Sequence, residues 1–457
     1  MHHLIRALFS FVRFVTGGRI RASRKRPMEG NAATMGVRET LWWAYKFYGQ
    51  PATEPQPDAG IREHFASHGL EGFAQQAGFA QQAGPAKQGD KTESSRLTIA
   101  LAGDILPSPN INAASAAHLF DDLEDDCLAA DLRYANLESP VVAARPVCWP
   151  DENITSPPRM NNSEEVFDLL YRDGSGINVF STANNHSLDQ GADGLLATLD
   201  FLDRRHAAHT GTARTPAERD AVLVTEANGI RVAWLSWSFS LNREQLPEGQ
   251  EHLVNHLRLN VPGCDIAPLE RQVRSARERH GADAVVACLH WGLEYESFPQ
   301  RHVIGLGHRL VEAGVDIVVG NHPHGLQPAE RHVYETPAGR MRSGLVVYAL
   351  GDLVSDMPQA GNSALTAVVR VDLARTADGS VAITDARTRP LYSYRRHDAE
   401  GSCVELRLLD FRALRCRIAD GDLAGPPPLT SQQVAEVARL GTLLDTLSFD
   451  RRVHAKG

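Results

Sequence analysis

Five short apolar runs in this chain each end in a cluster of polar side chains, and this pattern restricts the folds open to it. Runs of this length that are rich in β-branched residues fit strands buried on both faces. The polar clusters that follow the runs are Gly103-Asp104, Asn184-Asn185-His186, His290-Trp291-Gly292, His322-Pro323-His324 and Gly351-Asp352. Chance placement would scatter such residues, so their shared position indicates an enzyme whose site is assembled at strand ends.

Segments with a helical spacing of apolar residues separate these runs. They cover residues 163–171, 194–205, 268–280 and 301–313. Strands that alternate with helices predict an α/β layered fold, in which ligands bind at the carboxyl ends of the strands. Residues 365–420 instead alternate apolar and polar side chains between turn-forming glycines, which predicts antiparallel strands. Residues 431–447 have the pattern of an amphipathic helix.

The 457 residues are enough for more than one folded unit. In chain order we expect a basic N-terminal segment (1–35), a helical region and flexible linker with a tandem hexapeptide repeat (36–95), a main domain (96–420) and a C-terminal helix (421–457). Arg6 and Arg13 interrupt the apolar residues at the start of the chain, so neither a membrane-spanning helix nor a signal sequence fits there. We therefore expect a cytoplasmic protein with at most peripheral membrane contact.

Composition and charge exclude several classes of protein. The hydrophobic fraction of 42% and charged fraction of 23% are ordinary for a soluble globular chain. The net charge of −9 disfavours binding to phosphate backbones, so we expect no nucleic-acid partner. The six cysteines are far apart and form no CxxC pair, which argues against a disulfide scaffold and against a cysteine-rich zinc site.

Taken one at a time, the candidate ligands differ in how specifically they indicate a metal site. His322-Pro323-His324 places two imidazoles about a proline, a spacing that suits capture of a metal ion. Asp104 could coordinate a metal, or it could serve as a turn or helix-capping residue. Asn136 and Glu138 share one face if the chain is extended there. Asn184-Asn185-His186 could equally be a polar turn.

At these residues the sequence resembles the CapA family of poly-γ-glutamate capsule-biosynthesis proteins. The stretches that carry the resemblance are Gly103-Asp104, Asn136-Leu137-Glu138-Ser139-Pro140, the residues 184–189, the residues 290–295, the residues 320–324 and Tyr348-Ala349-Leu350-Gly351-Asp352. The resemblance covers residues 97–360 and says nothing of residues 1–95. It implies the calcineurin-like metallophosphoesterase fold, a four-layered α/β sandwich with a metal site at the strand ends.

The resemblance also implies roles for individual residues. The metal region would be surrounded by Asp104, Glu138, Asn185, His290, His322 and His324. His186 would be the adjacent acid or base. A dinuclear phosphoesterase normally opens with Asp-x-His, whereas this chain has Leu106 at the histidine position. We therefore expect one divalent ion, with Ca²⁺, Mn²⁺ and Zn²⁺ all open, rather than a complete two-metal site.

Family members are similar in sequence but differ in what they do. Some take part in making or exporting poly-γ-glutamate, and one branch consists of metal-dependent epimerases that invert the C-terminal residue of ribosomal lasso-type peptides. Epimerisation needs an acid and a base at the α-carbon and a cation near the carboxylate. The catalytic candidates for this chemistry are His186, His290, Asp104 and Asp352.

These observations predict a metal-dependent acid–base enzyme that acts on a peptide or poly-glutamyl substrate. The most specific form of the prediction is Cα epimerisation of the C-terminal residue of a ribosomal peptide, as part of natural-product biosynthesis. The alternatives are a role in poly-γ-glutamate capsule biosynthesis and hydrolysis of a phosphoester or amide. A binding protein that keeps a relic site is a further alternative of a different class.

Overall fold

The computed structural model describes residues 29–49, 59–70, 73, 95–106, 108–123, 127–147, 159–242, 244–357, 361–447 and 449. Residues 1–28, which make up most of the expected basic segment, lie outside this set. The tandem repeat and the linker that follows it also lie outside it, apart from Phe73. The division into domains therefore stays a prediction.

The first sheet contains the strands that carry three of the five predicted polar clusters. Its strands are β1 (Arg96–Ile105), β2 (Leu132–Leu137), β3 (Val179–Ser181), β4 (Ala208–Thr210), β11 (Asp352–Val354), β12 (Leu365–Arg375), β13 (Val381–His397) and β14 (Cys403–Asp410). They lie in the order β14-β13-β12-β1-β2-β3-β4, with β11 also paired to β1. Strands β1 to β4 are parallel, and β12 to β14 extend the sheet antiparallel, as the alternation in residues 365–420 predicts.

The second sheet carries the histidine-rich clusters. Its strands are β5 (Leu223–Ala227), β6 (Ile230–Ser238), β7 (Ala284–His290), β8 (Ile317–Asn321), β9 (Ala329–Glu335) and β10 (Met341–Val347). They lie in the order β5-β6-β7-β8-β10-β9. The four central strands are parallel, so their carboxyl ends meet at one edge, and the two outer strands pair antiparallel.

Helices lie at the five segments with helical apolar spacing and within residues 36–70, with small shifts at their ends. The short helix at residues 216–220 was not predicted, and the expectation of strands throughout residues 365–420 is wrong at residues 411–419, where the Asp410 side chain caps a helix by accepting a hydrogen bond from the Ala413 amide. The helices are α1 (Val37–Gly49), α2 (Ala59–Ser67), α3 (Glu164–Tyr171), α4 (Gly191–Arg204), α5 (Pro216–Asp220), α6 (Ala267–Glu278), α7 (Arg301–Glu312), α8 (Phe411–Ala419) and α9 (Ser431–Leu447), with a 3-10 turn at Arg172–Gly174. Helix α3 begins after Ser163 because its hydroxyl accepts a hydrogen bond from the Val166 amide. None of the helices in the described residues is both long and apolar enough to cross a bilayer.

The two sheets pack face to face with helices outside them. In β1, Ile99 and Leu101 join the apolar cluster shared with the second sheet, whereas the alternate residues join the cluster that contains Phe167 of α3. Across the interface the Tyr134 and Trp234 rings stack with centroids 5.9 Å apart. Helices α6 and α7 pack against the second sheet. The four-layered α/β sandwich that the family resemblance implies is thus confirmed.

Two glycines allow the strands that carry the polar clusters to approach each other closely. A Cβ on Gly103 would lie 1.9 Å from the carbonyl oxygen of Gly351, and one on Gly320 would lie 2.0 Å from that of Tyr348. Such distances are far below van der Waals contact, so side chains are excluded at both positions. The glycines thereby let the strand ends that bear Asp104 and His322 both pack closely against the segment 348–351.

Candidate metal centre and acid–base residues

The strand ends of both sheets bring the predicted site residues into one buried region. Asp104 is the exception to the expected local structure, since it lies inside β1 rather than after it. The strand continues through Ile105 because Asp104 pairs in register with Asn136 on one side and with Asp352 on the other. Glu138 directly follows β2, and His290 is the last residue of β7, as expected.

Glu138 lies at the middle of this region and is shared by two groups of possible metal ligands. One group is Glu138, His290 and His322, and the other is Asp104, Glu138 and His324. Within each group the ligand atoms lie within 4.8 Å of one another. Oε1 of Glu138 is 3.3 Å from Nε2 of His290 and 3.8 Å from Nε2 of His324. The possible ligand atoms of His290 and His324 thus both lie around the Glu138 carboxylate.

Asn185 lies beside the first of these groups. Its Oδ1 atom lies 2.9 Å from Nε2 of His290. An amide oxygen, a carboxylate and two imidazoles make a four-donor set, which is the number that a tetrahedral Zn²⁺ site uses. The region therefore brings together all six residues expected to surround the metal, with Asp352 beside them.

Several polar atoms in the region are buried without a hydrogen-bond partner. They are both carboxylate oxygens of Glu138, both ring nitrogens of His322 and Oδ2 of Asp352. Leaving such atoms unpaired costs free energy, about 1–3 kcal/mol for a neutral group and more for a charged one. Carboxylate oxygens and imidazole nitrogens are ligands for divalent metals. The residues present therefore fit a divalent ion.

Burial shifts the protonation equilibria of these groups in opposite directions. It raises the pKa of Asp104 to about 6 and the pKa of Glu138 well above its usual value. It lowers the pKa values of His290 and His322 well below the usual range, and neighbouring histidines lower them further. For His324 burial also acts downward, but the surrounding carboxylates, Glu138 foremost, raise the pKa well above its usual value. Neutral imidazoles are the form that binds metal.

The backbone at both histidines of the His-Pro-His segment has an unusual conformation. His322 has φ of 99° and His324 has φ of 52°, values that non-glycine residues rarely adopt. The His322 amide donates to Oδ2 of Asp104 at 3.0 Å, and Nδ1 of His324 lies 2.9 Å from Oδ1 of Asp352. Such conformations persist where the surroundings hold them, which is common at functional sites.

A second layer of hydrogen bonds orients Asp104 and ties the sheets together. Asn136 donates to Oδ1 of Asp104 at 2.8 Å and accepts a hydrogen bond from Ser181 at 2.7 Å. The Tyr134 hydroxyl donates to Oδ1 of Asn321 at 2.8 Å, which joins β2 of one sheet to β8 of the other. Partners of this kind fix the orientation of groups that bind a metal.

His186 forms a buried pair with Asp189 beside the metal ligands. Nδ1 of His186 lies 2.6 Å from Oδ2 of Asp189, and that same oxygen accepts a hydrogen bond from the Met160 amide at 2.6 Å. A carboxylate held in this way fixes the orientation of an imidazole that transfers protons. Asp189 was not among the expected site residues, although its spacing of three from His186 within one turn is a usable signal.

Glu294 is the second residue that the sequence interpretation missed. Its carboxylate forms a ligand group with His322 and His324, again within 4.8 Å. Helix α1 holds it in place, because Trp43 donates its indole N–H to the carboxylate and Lys46 donates to the Glu294 carbonyl oxygen at 2.6 Å. The glutamate lies only four residues beyond His290 in the motif, which is the signal that could have found it.

Leu106 lies in an apolar cluster at the edge of the site. The cluster also contains Met160, Tyr295 and Met357, with Trp43 packed against it. The ring of Tyr295 in turn lies 5.9 Å from that of His324. The position where a dinuclear phosphoesterase has a histidine is therefore part of an apolar wall. The group of ligands around Asp104 has one donor fewer than the corresponding group of a dinuclear phosphoesterase.

Comparison with curated proteins finds relatives named for capsule or PGA biosynthesis. The capsule biosynthesis protein CapA of Bacillus anthracis is 27% identical over 58% of this chain and 61% of its own length. The PGA biosynthesis protein CapA of Bacillus subtilis (strain 168) is 26% identical over 57% of this chain and 63% of its own. Each match thus spans about three fifths of the relative's length.

Two further comparisons concern a solved structure and a family model. A crystal structure from Staphylococcus aureus, provisionally named a 5'-nucleotidase, has 14% identity and a TM-score of 0.39, covering 71% of this chain and 58% of that one. The model described as bacterial capsule synthesis protein PGA_cap matches residues 98–357. The resemblance expected from the motifs is confirmed. Because this match covers more than half of the chain, the protein belongs to the PGA_cap family of bacterial capsule synthesis proteins.

Proposed function

We propose that this protein is a metal-dependent acid–base enzyme that acts on a peptide or poly-glutamyl chain. The observation that carries the proposal is the group of buried, unpartnered atoms of Glu138 and His322 next to the His186–Asp189 pair. Buried polar atoms are seldom left without a hydrogen-bond partner in a folded protein. Here the unpaired atoms favour a cation, and the adjacent pair favours proton transfer.

Each residue of the site has a distinct task in this proposal. Asn185, Glu138, His290 and His322 hold a divalent ion, whose charge would stabilise negative charge developing on a substrate carboxylate or carbonyl oxygen. His186 takes or gives a proton at the reacting centre, and Asp189 keeps its imidazole oriented. The apolar wall that contains Leu106 limits access of water from that side.

The substrate class rests on the relatives' names and on the charge of the site. Relatives are named for capsule and PGA biosynthesis, which favours a poly-glutamyl chain or a peptide with an exposed carboxylate. Once ionised, the Asp104 and Glu138 carboxylates would repel a poly-anion unless a cation offset their charge. Substrate binding should therefore depend on the metal. A role in capsule or polyglutamate synthesis is the coarser form of this proposal.

Two reactions are compatible with these groups. Cα epimerisation requires two groups that exchange protons with the substrate, and the site offers the His186–Asp189 pair together with Glu294. Amide hydrolysis requires one such group and an activated water. Epimerisation remains our more specific proposal because Glu294 supplies a second acid–base residue near His322 and His324.

Isotope labelling separates the two reactions. The metal-loaded protein would be incubated with poly-γ-glutamate and with short peptides, in heavy water and separately in ¹⁸O-labelled water. Epimerisation predicts one deuteron gained per turnover and no other change in mass, whereas hydrolysis predicts shorter products that carry ¹⁸O. The His186→Asn variant should abolish either signal, with His209→Asn, a half-buried histidine on β4, as the matched control. Unchanged substrates in both solvents would favour a binding role. The cytoplasmic location stays a prediction that cell fractionation would test.

A further inference from the structure

A second histidine cluster joins helix α2 to the main body of the protein and shares no residue with the candidate metal centre. It consists of His64 on α2, His308 on α7 and Glu330 on β9. These residues are far apart in the sequence, yet their ligand atoms lie within 4.8 Å of one another. Neither the proposed function nor the fold accounts for this convergence.

The Glu330 carboxylate is presented to both histidines. Its Oε2 lies 2.7 Å from Nε2 of His64, and its Oε1 lies 2.8 Å from Nε2 of His308. The Tyr348 hydroxyl donates to Oε1 at 2.5 Å. Although burial raises the pKa of Glu330, hydrogen bonds from His308, His64 and Tyr348 hold it below its usual range, so the carboxylate is ionised. Within the described residues no arginine or lysine pairs with it.

We propose that His64, His308 and Glu330 form a second metal site, of the zinc type, that fastens α2 to the core. Two imidazoles and one carboxylate are an established donor set for Zn²⁺, with a fourth position left for water or another oxygen. Tetrahedral bonds of about 2.0–2.2 Å place neighbouring donors about 3.3 Å apart. The two nitrogen–oxygen pairs would need to open by only about half an ångström to reach that spacing.

The surroundings of the cluster suit a site that exchanges metal with solvent. The side chains of His64 and His308 are each 23% exposed, so an ion has a path to them, whereas Glu330 is fully buried. The ring of His68 stacks on His64 at 4.3 Å, and that of His332 stacks on His308 at 4.0 Å.

The proposed ion would link the N-terminal helices to the enzyme body. Helix α2 also contacts the core through Phe65, whose ring lies 5.4 Å from that of Tyr348, so the helix does not depend on the metal alone. Metal binding at the cluster would add to this packing by the free energy of ligand binding to the folded state. This inference does not depend on the proposed catalytic function.

Equilibrium dialysis of the full chain against Zn²⁺ tests the proposal. Metal-free wild type and the variants His64→Ala and Glu330→Gln would be compared at several free Zn²⁺ concentrations. We expect both variants to hold one equivalent less than wild type, or to bind that equivalent at least tenfold more weakly. The matched control is His209→Ala, which removes a half-buried histidine on β4 that belongs to neither ligand cluster.

Spectroscopy of a second variant distinguishes loss of the metal site from a folding defect. Wild-type protein loaded with Co²⁺ should gain the visible absorption of a four-coordinate ion at this cluster, and His308→Gln should lose that part of the spectrum. His322→Ala, which alters the other centre, should retain it. Equal Zn²⁺ content and affinity in wild type and His64→Ala, or a Co²⁺ spectrum unaffected by His308→Gln, would overturn the proposal.

Discussion

Oε1 of Glu138 lies 3.3 Å from Nε2 of His290, yet these two buried atoms form no hydrogen bond. A carboxylate oxygen and an imidazole nitrogen that lie this close without a hydrogen bond have the arrangement of two ligands of one ion. The same carboxylate also approaches His324, and His322 has both ring nitrogens unpartnered. Glu138 is therefore the carboxylate around which the imidazoles of the centre are arranged.

Addition of Zn²⁺ or Mn²⁺ to the metal-free protein should raise its melting temperature. The ion would bind the folded state and relieve the unpaired atoms of Glu138 and His322. A ligand present at a hundred times its dissociation constant stabilises the folded state by about 2.7 kcal/mol. Differential scanning calorimetry of chelator-treated and metal-loaded samples measures the shift. Identical melting curves would argue against a resident ion.

Removal of the proton-transferring imidazole should lower turnover without removing the metal. We expect His186→Ala to reduce the rate by about 10²–10⁴-fold, which is the usual contribution of general acid–base catalysis. Asp189→Asn should also lower turnover, because the imidazole would lose its charged partner at 2.6 Å. Metal content, measured in parallel, should match wild type. A loss of metal in His186→Ala would instead make His186 a ligand.

Metal affinity should fall as the pH drops below about 6. In the metal-free protein burial raises the pKa of Asp104 to about 6, so below that pH this carboxyl group beside the ligands becomes neutral and no longer attracts a cation. Above pH 6 the metal affinity should become independent of pH, unless protonation of Glu138, whose pKa is also raised, adds a second pH dependence. Calorimetric titration across pH 5–8 gives the slope. In Asp104→Asn the step near pH 6 should disappear, and its persistence would implicate another group.

Substitution of Gly103 should be much more damaging than substitution of a glycine with open space around it. In Gly103→Ala the new Cβ would lie 1.9 Å from the Gly351 carbonyl oxygen, so β1 and the segment before β11 must separate. Overpacking of this kind typically costs about 1–3 kcal/mol. Gly305→Ala in α7 is the matched control, since nothing lies within 4 Å of its Cβ and alanine favours a helix by about 0.5–1 kcal/mol. Urea unfolding of both variants measures the difference.

The sequence was sufficient to predict the parts of the fold that depend on periodicity. The runs before His290 and His322 became β7 and β8, and the segment at 431–447 became α9 with the same ends. The end of β1 was placed too early, because its pairing with Asn136 and Asp352 on two sides extends the strand through Ile105. Pairing of this kind depends on distant residues that no local pattern contains.

Site residues that belong to a recognisable motif could be predicted from the sequence. Residues whose role depends on contacts across the fold were harder to predict. Residues 322–324 pointed to a metal from their spacing alone. Glu294 and Asp189 did not, because their roles depend on a neighbour, Trp43 for the first and His186 for the second. The tie between His64 and Glu330 spans 266 residues, and only the folded chain brings them together.

Metal analysis of the purified protein and of His322→Ala tests the central claim most directly. His322 is fully buried and has two unpartnered ring nitrogens, and it belongs to two of the ligand groups at the centre. The account predicts that wild type holds one equivalent of divalent metal more than His322→Ala, while His209→Ala equals wild type. The same metal content in wild type and His322→Ala, with both proteins folded, would contradict the account.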